Sequence, residues 1–223
     1  MNEFKILNLG LTDYKKALNI QLGLLDKRKN NLIPDTLILL EHSPTITIGR
    51  GGDLKNLLVS QNYLKDKGIY FEQISRGGDI TFHGPGQIVG YPIMNLNSLG
   101  RDIHKYLRSL EHLIIDMLKN YGIKASGFKG ITGVWSNDKK IASIGIGVKR
   151  WITYHGFAIN INNDLNCYDM IIPCGLSKVR MTNVTTESAT GKVTIENAND
   201  YIIDSFSKTF NQKYSGILNI NLN

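Results

Sequence analysis

Short apolar or alternating runs bounded by Gly, Pro, Asn or Asp recur along the chain at 36–41, 45–48, 70–74, 87–94, 131–136, 140–148 and 152–162. Side chains of an extended segment repeat every two residues, and runs of this length and punctuation read as strands. Three other segments repeat every three or four residues, the helical period. Tyr14, Ala17, Leu18, Leu22 and Leu25 fall on one helical face behind Thr12, the expected N-cap. Ile103, Tyr106, Leu107, Leu110, Ile114, Met117 and Leu118 mark a second helix over 102–121, and a third covers 195–210. Strands follow strands on both sides of the middle helix, so the expected architecture is α+β, a mixed and mainly antiparallel sheet covered by helices. "SNDKK" at 136–140 reads as a hairpin turn, because Asn and Asp tolerate left-handed backbone. No repeat, low-complexity tract or Pro/Ser-rich linker interrupts the pattern, and 1–223 is read as one domain.

Composition narrows the class. The chain has 223 residues, 42% hydrophobic and 20% charged, which suits a folded globular protein and argues against disorder. Its longest apolar runs, such as "TLILL" at 36–40, fall far short of the roughly 20 residues a membrane-spanning helix needs. "MNEFKILNLG" has no basic region leading into an apolar stretch, so no secretory signal is visible and a cytoplasmic protein is expected. In that compartment Cys167 and Cys174 are expected to be separate thiols. The net charge of +7 favours encounters with acidic partners without naming them. No binding motif or basic stripe with interleaved aromatics supports nucleic acid as the partner.

The stretch "RGGDITFHGPGQIVGYP" at 76–92 concentrates five glycines and two prolines around Arg76, Thr81 and His83. Glycine loses more backbone entropy on folding than any other residue, so such a cluster points to something lying close against the backbone. Pro85–Gly86 fits the central pair of a type II turn, the plain reading. Neither a Walker loop nor a strand-borne GxGxxG is present.

In "IIPCGL" at 171–176, Cys174 stands between Pro173 and Gly175. A buried inert thiol is the default for that residue type. Against it, the glycine leaves one side of the sulfur open, as a nucleophile needs. A cysteine nucleophile requires a base or a nearby cation. His83 and His155 are the motif-embedded histidines, and Lys140 in "KIASIGIGV" is the other option. In a regular strand Lys140 shares a side with Ala142, Ile144 and Ile146. Two readings stand: a strand-end lysine reaching water, the commoner arrangement, or a desolvated amine.

"RGGDITFHGPGQIVGYP", "KIASIGI", "YHGFAININ" and "PCGL", in that order behind "LLEHSPTITIGR", closely resemble the octanoyl-[acyl carrier protein]:protein N-octanoyltransferases of lipoate biosynthesis. The resemblance spans 36–184. It implies the fold of the lipoate- and biotin-protein ligase catalytic domains and transfer of octanoate from octanoyl-acyl carrier protein to a lysine of lipoyl domains. The implied acceptors are the E2 subunits of 2-oxoacid dehydrogenases and the glycine cleavage H protein, and no cofactor, metal or membrane is implied. By motif, Cys174 becomes the acyl-thioester nucleophile and Lys140 the cation that keeps it a thiolate. Arg76, Gly77, Gly78, Asp79, Ile80, Thr81, Phe82, His83, Ser143, Ile144, Gly145, Gly156, Phe157 and Ala158 become the acyl-binding residues. The glycines among them are expected to make room for the acyl chain. An ATP-dependent lipoate- or biotin-protein ligase is the alternative; Cys174 and the lack of an evident nucleotide-phosphate loop favour the transferase.

Overall fold

Leu37, Ile38, Leu39 and Leu40 are apolar at four consecutive positions, so their strand is stable only where both of its faces are covered. The structure, a computed structural model, describes residues 2–128, 130–176, 179–190 and 192–220. Its strands are β1 (Asn2–Thr12), β2 (Asp35–His42), β3 (Thr45–Ile48), β4 (Tyr70–Gln73), β5 (Ile80–His83) and β6 (Gln87–Ile93). They continue with β7 (Ala125–Phe128), β8 (Ile131–Ser136), β9 (Lys139–Lys149), β10 (Ile152–Asn160), β11 (Arg180–Met181) and β12 (Gln212–Ile217). The α-helices are α1 (Tyr14–Lys29), α2 (Gln61–Asp66), α3 (Ile103–Lys119), α4 (Val184–Glu187) and α5 (Ile195–Phe210).

The large sheet runs β12-β1-β2-β6-β10-β9-β8-β7, with β11 added beside β9. β1 is parallel to β2 and β12, and β11 to β9; its other ladders are antiparallel. A small sheet runs β4-β3-β5. The architecture is α+β, as the periodicities predict.

Two-residue alternation sends β2 both ways. Leu37 and Leu39 join Ile88, Phe157 and Ile159 beneath α3 and α5, where Leu110, Ile114, Met117, Ala198, Ile202 and Phe206 complete the cluster. Ile38 and Leu40 join Val89 and Ala158 beneath α1, against Ala17, Leu24 and Leu25. Each fully buried side chain of this size contributes about 1.5–3 kcal/mol relative to exposure. A third cluster links the small sheet to the following segments through Ile46, Ile48, Ile80, Phe82, Leu64, Tyr168 and Ile171. Among the described residues no helix is long and apolar enough to cross a membrane.

The start of α1 differs from expectation. Thr12 ends β1, and its hydroxyl donates to Leu9 O; the N-cap is Asp13, whose carboxylate takes a bond from Ser43 instead of capping the helix. The buried stripe of α1 is Tyr14, Ala17, Gln21, Leu24 and Leu25, while Leu22 is exposed. The helix is turned because Gln21 Oε1 accepts the His155 N–H at 2.7 Å, a tertiary bond that local periodicity does not encode. The turns follow expectation: Asn137 has φ 54° in the β8–β9 hairpin, and Gly86 has φ 83° within a Gly84 O to Gln87 N turn of 3.1 Å.

Candidate active site

Cys174 lies in a single 3-10 turn, Pro173–Gly175, that begins with the φ-locked proline. Its own φ is 57°, left-handed and uncommon for a residue with a Cβ, and Gly175 follows at φ 69°. Gly175 needs its bare backbone twice over, for this φ and because a Cβ there would collide with Asp79 Oδ2. Asp79 Oδ1 accepts from Ile80 N at 2.7 Å and Oδ2 from Asn56 Nδ2 at 2.6 Å, while Asn56 O accepts from Ile172 N at 2.7 Å, so the carboxylate links the start of β5 to the segment that leads into the sulfur-bearing turn.

Lys140 Nζ lies 3.0 Å from Cys174 Sγ. The lysine enters from the start of β9, opposite a one-residue slip in the β8–β9 register between Val134 and Trp135. Such bulges re-aim side chains beside functional sites. Only 1% of Lys140 is exposed, which overturns the reading of a strand-end lysine reaching water. Its Nζ lies 5.0 Å from the Trp135 ring centroid, within cation–π range, and 3.4 Å from Thr132 O. Gly133, at φ 142°, makes the space: a Cβ there would stand 2.7 Å from Lys140 Cε.

A cavity of about 390 Å³, within the usual size of a small-molecule site, opens beside the pair. The 76–81 segment forms one wall. Gly77 N donates to Ile146 O at 2.9 Å, tying that wall to β9. Arg76 is buried without a carboxylate in salt-bridge range among the described residues; its Nη2 donates to Thr47 O at 2.8 Å and Thr47 Oγ1 at 2.9 Å, and Nη1 to Gly77 O at 3.1 Å. Burial pulls its pKa below the ordinary guanidinium value, yet an arginine stays a cation. The site therefore holds a fixed positive charge beside a largely apolar cavity.

With that geometry in hand, relatives add the chemistry. A family model described as "Lipoyl protein ligase A/B catalytic domain" matches residues 13–207, wider than the motifs alone suggest. A Solibacter usitatus protein named Octanoyltransferase is 45% identical over 203 residues, 91% of this chain and 90% of its own length. One of the same name from Caldicellulosiruptor saccharolyticus is 44% identical over 209 residues, 92% and 88% of the two chains. The chain belongs to the octanoyltransferase family. As such it is an acyltransferase. Among solved structures, a putative lipoate protein ligase from T. acidophilum with bound lipoic acid superposes with a TM-score of 0.78 at 17% identity, over 99% of this chain and 90% of that one. The apo biotin protein ligase of Aquifex aeolicus follows at 0.52 and 13%, over 95% and 70%. Identities this low speak for the fold, and the fold is the one expected.

In this octanoyltransferase the structure gathers nearly every residue singled out by sequence around one cavity. Arg76, Gly77, Gly78, Asp79, Ile80, Thr81, His83, Lys140, Ser143, Ile144, Gly145, Gly156, Phe157, Ala158 and Cys174 line it. Phe82 does not: alternation along β5 turns it into the cluster beneath the small sheet. The expected use of two glycines also changes. A Cβ on Gly145 would meet Gly77 O at 2.8 Å, and one on Gly156 would collide with Gly90 O, so the space they leave is filled by protein backbone. Tyr14, Val89, Tyr91, Leu107, Gly130, Ile131, Thr132, Ile146 and Leu176 also line the cavity and were not singled out by sequence as site residues, and His155, offered there only as a base for Cys174, lines it too.

No histidine hydrogen-bonds Cys174 among the described residues; instead three histidines form a neutral group, His83 and His155 on the cavity lining and His42 beside His83 with ring centroids 5.6 Å apart. His42 Nδ1 donates to Thr12 O at 2.8 Å, which leaves Nε2 to accept from Tyr91 OH at 2.7 Å. His83 Nδ1 lies 2.7 Å from Gln87 Oε1, and Gln87 Nε2 donates to Asn160 Oδ1 and Tyr168 OH. Burial, the largest cause in each, pushes His42 down to about 4 and His83 and His155 to about 3; the neighbouring His42 also depresses His83, and Arg76 depresses His155. Because the folded state resists protonation that the unfolded chain accepts near 6.5, their contribution is complete above pH 6.5 and is lost as pH falls toward about 4 for His42 and about 3 for His83 and His155. Denaturant unfolding should show stability falling over that window by about 1.4 kcal/mol per pH unit for each histidine. His83→Gln, which keeps a donor for Gln87 but does not titrate, should flatten the slope by one such increment. An unchanged slope would contradict the assignment.

Proposed function

We propose that this protein moves an octanoyl group from octanoyl-acyl carrier protein to a lysine of lipoyl domains through a Cys174 thioester, the first step of endogenous protein lipoylation. The E2 subunits of 2-oxoacid dehydrogenases and the glycine cleavage H protein are the acceptors. One observation carries the reading: the side-chain nitrogen of an almost fully buried Lys140 lies 3.0 Å from Cys174 Sγ, beside a cavity with room for an acyl chain.

The chemistry runs in two balanced steps. In the first, the Cys174 thiolate attacks the carrier thioester; the carbonyl carbon to carrier sulfur bond breaks, and the carrier thiolate takes a proton from Lys140. One thioester replaces another, so this exchange is nearly even in free energy. In the second, the neutral Lys140 amine accepts a proton from the acceptor lysine as its nitrogen attacks the enzyme thioester. Cys174 leaves as a thiolate beside the restored ammonium group. An amide forms at the expense of a thioester, which draws the sequence forward without nucleotide.

The relatives at 40–49% identity named Octanoyltransferase support the transferase over the ligase alternative, whose solved examples share 13–19% identity with this chain. Octanoyl-acyl carrier protein and a lipoyl domain should therefore give the octanoylated domain with no ATP or magnesium. A product that appears only from free octanoate plus ATP would transfer the assignment to the ligase.

A further inference from the structure

Lys140 Nζ faces the carbonyl of Thr132 at 3.4 Å. The N–H of that same peptide, on Gly133, donates to Glu111 Oε1 at 3.1 Å. Carbonyl and N–H point to opposite sides of a trans peptide. Glu111 on α3 and Lys140 on β9 therefore grip one peptide of β8 from its two ends, in the series carboxylate, peptide, ammonium, sulfur.

Glu111 is only 4% exposed and sits on the apolar face of α3, between Leu107, Leu110 and Ile114. A carboxylate is costly to bury there unless its oxygens are matched. Oε1 is matched by Gly133 N and Oε2 by Arg108 Nη1. β7 is also shaped around it, since a Cβ on Gly127 would stand 3.1 Å from Oε2. Hydrogen bonds in series polarise one another by about 10–30% each, so a carboxylate drawing on the N–H strengthens the carbonyl as an acceptor for the ammonium group. It also fixes where that carbonyl stands, and with it the amine.

We propose that Glu111 is a positioning residue for acyl transfer: through the Thr132–Gly133 peptide it holds the Lys140 amine against Cys174. The inference rests on the Cys174–Lys140 reading given above. Glu111 touches neither substrate nor the reacting atoms.

The test compares the wild type with Glu111→Leu, Glu111→Gln and, as a core change on the same helix, Ile114→Val. Rapid quench with octanoyl-acyl carrier protein gives the rate constant and KM of acyl-enzyme formation, and thermal melts place every assay well below unfolding. Glu111→Leu should lose ~10–100-fold in the rate constant at unchanged KM, a fraction of the effect of removing an acid–base group outright. Glu111→Gln keeps an acceptor for Gly133 N–H and should recover to within about fivefold of wild type, since position is the larger part of the effect. Ile114→Val should leave both parameters unchanged. Glu111→Asp, whose side chain falls one methylene short of Gly133, should lose rate as the leucine variant does and replaces it in the comparison if the leucine variant is unfolded. A wild-type rate constant in folded Glu111→Leu or Glu111→Asp overturns the proposal. So does equal slowing of the Leu and Gln variants, or a loss confined to KM. Overall transfer to the lipoyl domain is measured on the same set. A wild type that transfers without a thioester would sink the Cys174 reading, while the order of the variants would still judge Glu111.

Discussion

Mixed with octanoyl-acyl carrier protein and no nucleotide, the wild-type protein should gain one octanoyl group, about 126 Da, and Cys174→Ala should gain none. Both thiols are only partly buried, so accessibility does not choose between them. Their surroundings do. Cys174 has the Lys140 amine at 3.0 Å, lines the cavity, and sits on a turn whose backbone is held left-handed. Cys167 packs against the cluster beneath the small sheet, where burial and the charge of Asp164 push its thiol up from the ordinary cysteine value. Cys167→Ala should therefore acylate normally, while Cys174→Ala should lose transfer by ~10⁴-fold or more, the scale of nucleophile removal in other covalent enzymes. Intact-mass measurement followed by peptide mapping reads both. An adduct that maps to Cys167, or one that survives hydroxylamine, would refute the thioester assignment.

The second large effect is expected at Lys140, where one side chain is given two tasks. In the proposed reaction it pairs with the sulfur as an ammonium group before acyl transfer, and as an amine it takes the proton from the acceptor lysine. Arginine performs the first task alone, since its guanidinium does not release a proton at accessible pH. Lys140→Arg should thus form some acyl-enzyme yet fail to pass it on, with the second step slowed ~10²–10⁴-fold, the usual worth of a positioned acid–base group. Lys140→Ala should slow both steps. Rapid-quench measurement of the two half-reactions separates these outcomes. Normal rates for both in Lys140→Ala would end the dyad, and the buried amine would then be a structural group held by Trp135 and Thr132.

Sequence periodicity revealed the elements whose burial follows from their own residues. β2, apolar at four consecutive positions, and α3, with its stripe from Tyr106 to Leu118, are legible because each needs only a covered face. β1 and β12 escaped notice: they pair in parallel from opposite ends of the chain, and no local turn announces such a pairing. β5 was hidden among the glycines that flank it, and with it the outward turn of Phe82. The site residues were legible as motifs, but their arrangement was not. The burial of Lys140 depends on the backbone of Gly133, on a register slip beside Trp135, and on a turn 34 residues later that carries the sulfur. Glu111 did leave a trace, as a carboxylate inside an otherwise apolar helical stripe, the kind of misfit that often marks a buried polar network.

The carboxylate of Asp79 binds two fates together. One oxygen bonds the start of β5 and the other bonds Asn56, whose carbonyl holds Ile172 N just before the Cys174 turn, so this wall of the cavity and the carrier of the sulfur are expected to move together. A substitution in that wall is therefore expected to shift the nucleophile as well, coupling chain-length selectivity to turnover there. The lining at Val89 and Ala158 belongs instead to the layer packed under α1, so substitutions there are expected to reshape the cavity without acting through Asp79.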